Sequence, residues 1–120
     1  MNVLVLDDDP GRLQVFERHF HRISDLSVAR TADMAIWLLS QYHWDYVYLD
    51  HDLGLTPVPD PGSGTQVVDW IVQAAARGRF RHTQFVIHSL NEEDGPRMAE
   101  RLAAAGLRVK YRPGVFMRLL

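Results

Sequence analysis

Three short stretches of the chain are apolar without a break: Val3-Leu4-Val5-Leu6, Tyr46-Val47-Tyr48-Leu49 and Phe85-Val86-Ile87. A strand with one wet face alternates apolar and polar residues, so runs like these need cover on both sides, as in a parallel sheet packed between helices. Weaker runs of the same kind lie at residues 26–29 and 107–111. The segments between them change period. Leu13, Phe16, Phe20 and Ile23 follow Asp9 as N-cap and Pro10 at the first helical position, and Ala32, Ala35/Ile36 and Leu39 follow Thr31. Val67/Val68, Ile71 and Ala74/Ala75 end before Gly78, while Met98, Leu102 and Ala105 run from Pro96 to Gly106. Steps of three and four put these side chains on one helix face, between residues that start and stop helices. Strands and helices therefore alternate, which with right-handed crossovers predicts a doubly wound α/β sheet of five parallel strands. Only residues 114–120 follow the last strand, so the last helix is expected to be truncated.

By length the 120 residues form one domain, residues 1–120, and with 47% of them apolar there is enough material for a core. The absence of cysteine excludes disulfides, thiolate nucleophiles and thiolate metal sites. With 13 basic against 15 acidic side chains there is no basic excess for duplex DNA. Neither a membrane-length apolar run nor a basic lead-in to a signal peptide is present, so a soluble, cytoplasmic domain without a membrane partner is expected.

The charge totals hide a clustering. Of the 11 Asp, five fall in Asp7-Asp8-Asp9 and Asp50/Asp52. In an open parallel sheet, ligands bind beyond the carboxyl ends of the strands, where the strand order reverses. Those ends carry Asp7-Asp8-Asp9, Asp50-His51-Asp52, His88-Ser89-Leu90-Asn91 and Arg112-Pro113. With the order 2-1-3-4-5 the first and third strands are neighbours, and their acids share one small volume. Carboxylates so close stay ionised together only around a hard cation, and all-oxygen ligation points to Mg²⁺ or Mn²⁺. Ser89 and Arg112 offer a hydroxyl and a guanidinium suited to phosphoryl oxygens. Asp9, before Pro-Gly, reads instead as a helix cap. The irregular stretch 53–64, with three Pro and three Gly, is long enough to read as a functional loop.

This pattern resembles the receiver domain of two-component response regulators, a flavodoxin-like sheet of order 2-1-3-4-5. The resemblance implies that Asp7 and Asp8 are the acidic pair that binds Mg²⁺, that Asp50 is the phosphoacceptor, and that Ser89 is the hydroxyl ending the fourth strand. The chain also departs from that family: Arg112 stands where the family has Lys, His51 and His88 flank the site, and no full output helix follows. It is more similar to the cyclic-phosphate-processing receiver-like domains. Their marks, an Asp-His-Asp-Leu-Gly run and a His-Ser-x-Asn run, stand here as Asp50-His51-Asp52-Leu53-Gly54 and His88-Ser89-Leu90-Asn91. That resemblance implies a metal-dependent cyclic phosphodiesterase or phosphohydrolase acting on a cyclic or terminal phosphate of a nucleotide or RNA end. Asp7, Asp8, Asp50 and Asp52 would hold Mg²⁺ or Mn²⁺. His51 and His88 would move protons beside Asp50, and Ser89, Asn91 and Arg112 would clamp phosphate oxygens. The broader resemblance keeps a second function open, a stand-alone receiver phosphorylated on Asp50 as a signalling switch.

Away from the strand ends, Trp37, Tyr42, Trp44 and Trp70 are expected in the core. Arg77, Arg79 and Arg81 are expected on a solvated turn at the opposite edge from the site. Val115, Phe116, Met117, Leu119 and Leu120 make an otherwise exposed apolar tail, which predicts a homodimer through this end.

Overall fold

The computed structural model describes residues 1–22, 24–55 and 57–119. Five strands, β1 (Asn2–Leu6), β2 (Asp25–Ala29), β3 (Tyr46–Leu49), β4 (Gln84–Ile87) and β5 (Arg108–Tyr111), form one parallel sheet in the order β2-β1-β3-β4-β5. The connections carry α1 (Pro10–Phe20), α2 (Ala32–Gln41), α3 (Gly64–Ala75) and α4 (Asp94–Ala104). Leu6 pairs with both Ala29 and Leu49, and Leu49 with Ile87, so β1, β3 and β4 end level with one another. The doubly wound sheet implied by the alternating pattern is the fold observed.

Strand parity distributes the core. Val3 and Val5 face α1 and pack with Leu13, Phe16 and Phe20, whereas Leu4 and Leu6 point the other way, into side chains from α2, α3 and α4. The helices start where their caps dictate: the Asp9 carboxylate accepts the Arg12 N–H, and the Thr31 hydroxyl accepts the Met34 N–H. α4 begins at Asp94, ahead of Pro96, and stops before Ala105.

A single 3-10 turn, Val115–Arg118, follows β5 in place of a fifth helix. Val115, Phe116 and Leu119 pack against the α1-side cluster, and of the described tail residues Met117 stays 60% exposed. Val115, Phe116 and Leu119 are thus partly buried within the chain itself. Leu120, and Ile23 of the α1 stripe, lie outside the described residues. Trp44 is buried, donating its Nε1–H to the Leu38 carbonyl, but Trp37 and Tyr42 remain half exposed. Trp37 lies off the buried stripe of α2, and it meets Tyr42 edge-on at the rim instead of entering the core. Among the described residues no helix is long and apolar enough to cross a membrane.

Candidate active site

The backbone ladder runs one residue past each central strand. Asp7 N–H donates to the Ala29 carbonyl, Asp50 N–H to Leu6 and His88 N–H to Leu49. Parity therefore continues, placing Asp7 in line with Val3 and Val5, and Asp50 in line with Tyr48, all on the α1 side. Asp7, Asp50 and His88 each offer a ligand atom within 4.8 Å of the others. Asp8 and Ser89 take the opposite parity. Asp8 accepts the Leu55 N–H at 2.7 Å, and Ser89 Oγ accepts the Asn91 N–H at 3.1 Å. The acids expected around one cation are thus divided: Asp7 and Asp50 meet His88, and Asp8 and Asp52 stand outside that close group.

Asp7 is fully buried, and both of its oxygens are saturated. Oδ1 accepts the Asp9 N–H at 2.9 Å and Arg12 Nη2 at 3.0 Å, while Oδ2 accepts Arg12 Nε and His88 Nε2, each at 2.9 Å. An ionised carboxylate can only accept, so His88 Nε2 carries the hydrogen. Arg12 Nη2 also reaches Asp50 Oδ2 at 3.2 Å, and Asp50 Oδ1 accepts the His51 N–H at 2.8 Å. Burial alone would raise the Asp7 pKa, but hydrogen bonds from His88 and Arg12 outweigh it and hold the carboxyl at about 2. Asp50 moves the other way, because burial pushes it up and its interaction with His88 offsets that only in part. His88 is 1% exposed, 5.2 Å from the Phe16 ring and 6.4 Å from the Tyr48 ring, and its Nδ1 is buried without a partner among the described residues.

In front of this sealed set lies a cavity of about 370 Å³. Asp8 and Asp50 are its buried acids, Arg12 its cation, Asp52 and Asn91 its polar rim, and Leu55 and Leu90 its apolar sides. Asp52 Oδ1 lies 2.8 Å from His51 Nδ1, whose ring continues through Nε2 to Thr65 Oγ1 at 3.1 Å. Asn91 Nδ2 donates to Asp52 at 3.3 Å and to Asp94 at 3.3 Å. The loop after β3 returns through a bridge between Asp52 and Ser63, and the Gly64 N–H donates to the His51 carbonyl at 2.9 Å. A Cβ at Gly64 would collide with the Asp50 carbonyl, so glycine alone lets α3 begin against the site.

Arg112 stands at the end of β5, exposed, with Nη1 donating to the Tyr111 carbonyl at 3.0 Å; it is absent from the cavity wall, and its bond to Pro113 is trans. Sequence reasoning overlooked Arg12. A signal was present: a cation in the first turn of a helix opposes the macrodipole, and this one follows three consecutive Asp.

Residues 2–104 match the model of a family described as the cyclic-phosphate processing receiver domain. The chain belongs to that family. Solved receiver domains share the fold of this one. The signal receiver domain of a putative Luxo repressor protein from Vibrio parahaemolyticus superposes with a TM-score of 0.66 at 22% identity, over 98% of this chain and 82% of that one. The N-terminal domain of a response regulator/sensory box/GGDEF 3-domain protein from Carboxydothermus hydrogenoformans gives 0.67 at 16% identity, over 99% and 90%. The non-phosphorylated HemR receiver domain from Leptospira biflexa gives 0.67 at 20%, over 93% and 80%. No curated protein matches the sequence. In this receiver domain the carboxylates of Asp7 and Asp50 suit a hard divalent cation by charge, donor type and spacing. Because the Asp7 oxygens are already saturated, a cation there must displace one of the present donors.

Proposed function

We propose that this receiver domain opens or removes a cyclic or terminal phosphate on a nucleotide or RNA end with the help of Mg²⁺ or Mn²⁺. The observation that carries the reading is what one cavity brings together. It combines buried acids (Asp8 and Asp50), a guanidinium (Arg12), an exposed Asp52 backed by His51, and the side chains of Leu55 and Leu90, 65% and 55% exposed. Acids suit a divalent cation, a guanidinium suits a phosphate, and apolar sides suit a sugar or base. The name of the family points to the same chemistry. Asp7, Asp8 and Asp50, with Asp52 at the rim, would hold the cation, which when bound supplies positive charge to the phosphoryl oxygens.

The side chains do the rest. Asp52 faces the cavity with His51 Nδ1 behind it at 2.8 Å, so a proton taken up at the carboxylate is shared with the ring, and the pair serves as acid and base. Asn91 fixes that rim by donating to Asp52 and Asp94, and Ser89 supports Asn91 from below through its N–H. His88 lies under Asp7 and orients that carboxylate without meeting the substrate. Hydrolysis of 2′,3′-cyclic nucleotides and cyclic dinucleotides in Mn²⁺ tests the reading. The wild type is expected to turn over at least one of them, and His51→Ala to be slower by about 10²-fold or more. No turnover of any, or a His51→Ala variant as fast as wild type, contradicts it.

A further inference from the structure

We infer that Arg12 serves as the counter-cation of Asp7 and Asp50, and that its guanidinium must leave them before a divalent cation can bind there. The inference rests on the metal-dependent reading above and adds the device that controls it. Two buried carboxylates share one guanidinium. Arg12 grips Asp7 with two parallel contacts, Nε to Oδ2 at 2.9 Å and Nη2 to Oδ1 at 3.0 Å, and the same Nη2 reaches Asp50 at 3.2 Å. Forked contacts of this kind are the strong form of a charged pair, and without the guanidinium the two carboxylates would repel each other.

The saturated oxygens of Asp7 decide which donor yields. The Asp9 N–H belongs to the cap of α1, where Asp9 also receives Arg12 N–H, so moving it would unwind the helix start. His88 is held between Phe16 and Tyr48 and is almost wholly buried. Arg12 alone combines a long side chain with an outlet. It is 24% exposed and forms part of the cavity wall, and its Cζ already lies 5.4 Å from the Phe116 ring. A divalent cation and Arg12 therefore compete for the same oxygens. Once freed, the guanidinium lies on the wall of the cavity that the phosphate enters, a duty that Arg112, bonded to its neighbour's carbonyl, is not placed to perform.

Calorimetric titration of the full chain with Mn²⁺ alone, for wild type, Arg12→Gln, Arg12→Lys and Arg112→Gln, tests this. Arg12→Gln is expected to bind at least about tenfold more tightly than wild type, Arg12→Lys in between because it keeps the charge and loses the fork, and Arg112→Gln like wild type. If wild type binds Mn²⁺ and Arg12→Gln binds no tighter, the inference is overturned and the metal-dependent reading stands. If Arg12→Gln binds and wild type does not, the inference holds and the metal-dependent reading falls; binding by neither overturns both. Should Arg12→Gln not fold, the Arg12 Nε–H resonance of wild type decides. It is expected to shift and exchange faster with water as Mg²⁺ is added, and an unchanged signal overturns the inference.

Discussion

Two carboxylate–histidine pairs sit at the carboxyl edge of this sheet, and they are built in opposite ways. Asp7 and His88, 2.9 Å apart, are sealed between α1 and the strand ends, at 0% and 1% exposure. Asp52 and His51, 2.8 Å apart, stand at the cavity rim, where the Asp52 side chain is 68% exposed. The chemical groups are the same and the surroundings differ. Burial makes the inner pair a fixture in which the Asp7 oxygens are fully committed, while the outer pair can exchange protons with whatever enters the cavity. Residue type alone therefore does not distinguish the two pairs at this edge; solvent access does.

Asp7→Asn gives the largest expected break in that contrast. It removes a buried charge on which Arg12 and His88 both depend, and should cost about 3 kcal/mol in urea unfolding. A loss as small as that of a surface substitution would place Asp7 in the same class as Asp52. Acid comes next. The Asp7 carboxyl titrates at about 2 in the fold against 3.8 for the free group, so its ionisation stabilises the domain fully above pH 3.8. That contribution, about 2 kcal/mol, should fade as pH falls from 3.8 toward 2. Asp50, raised by burial, works in the opposite sense and favours unfolding as pH rises through its range. The difference between the wild-type and Asp7→Asn stability curves isolates the Asp7 component, and parallel curves between pH 4 and 2 would remove it. The smallest effect belongs to Asp52→Asn. An exposed rim residue should change stability by less than about 0.5 kcal/mol, yet lower the turnover of a cyclic phosphate by about 10²-fold; equal loss of both would mean that the outer pair is structural too.

Much of this molecule is legible in its sequence. Unbroken apolar runs place β1, β3 and β4 and weaker ones place β2 and β5, while Asp9-Pro10 and Thr31 place the starts of α1 and α2, because these signals act over one or two turns of backbone. The Asp and His clusters lie together at the carboxyl edge of the sheet. The division of labour among them is less visible, because it depends on parity carried past the strand ends and on which side chains α1 covers. Parity could have been counted: Asp7 follows Val3 and Val5, and Asp8 follows Leu4 and Leu6. The reach of Arg12 to Asp50 joins residues 38 positions apart and depends on the placement of a long side chain, which spacing does not encode. The placement of the tail is hidden for a related reason. Val115, Phe116 and Leu119 keep steps of three and four, but only the fold shows that a 3-10 turn lays them over the α1 side of the sheet.

Asp50 is 5% exposed, with one oxygen accepting the His51 N–H and the other Arg12 Nη2; in the proposed phosphate-processing function its duty is to hold a cation and not to act as a phosphoacceptor. Incubation with a small phosphodonor and Mn²⁺, read by intact mass, beside turnover of cyclic phosphates by the same preparation, tests this most directly. The expected result is linear phosphate product with no phosphoryl mass added to the chain. Stable phosphorylation that disappears in Asp50→Asn, with no cyclic phosphate consumed, would show that the domain stores a phosphoryl group as a switch and would contradict a phosphate-processing role.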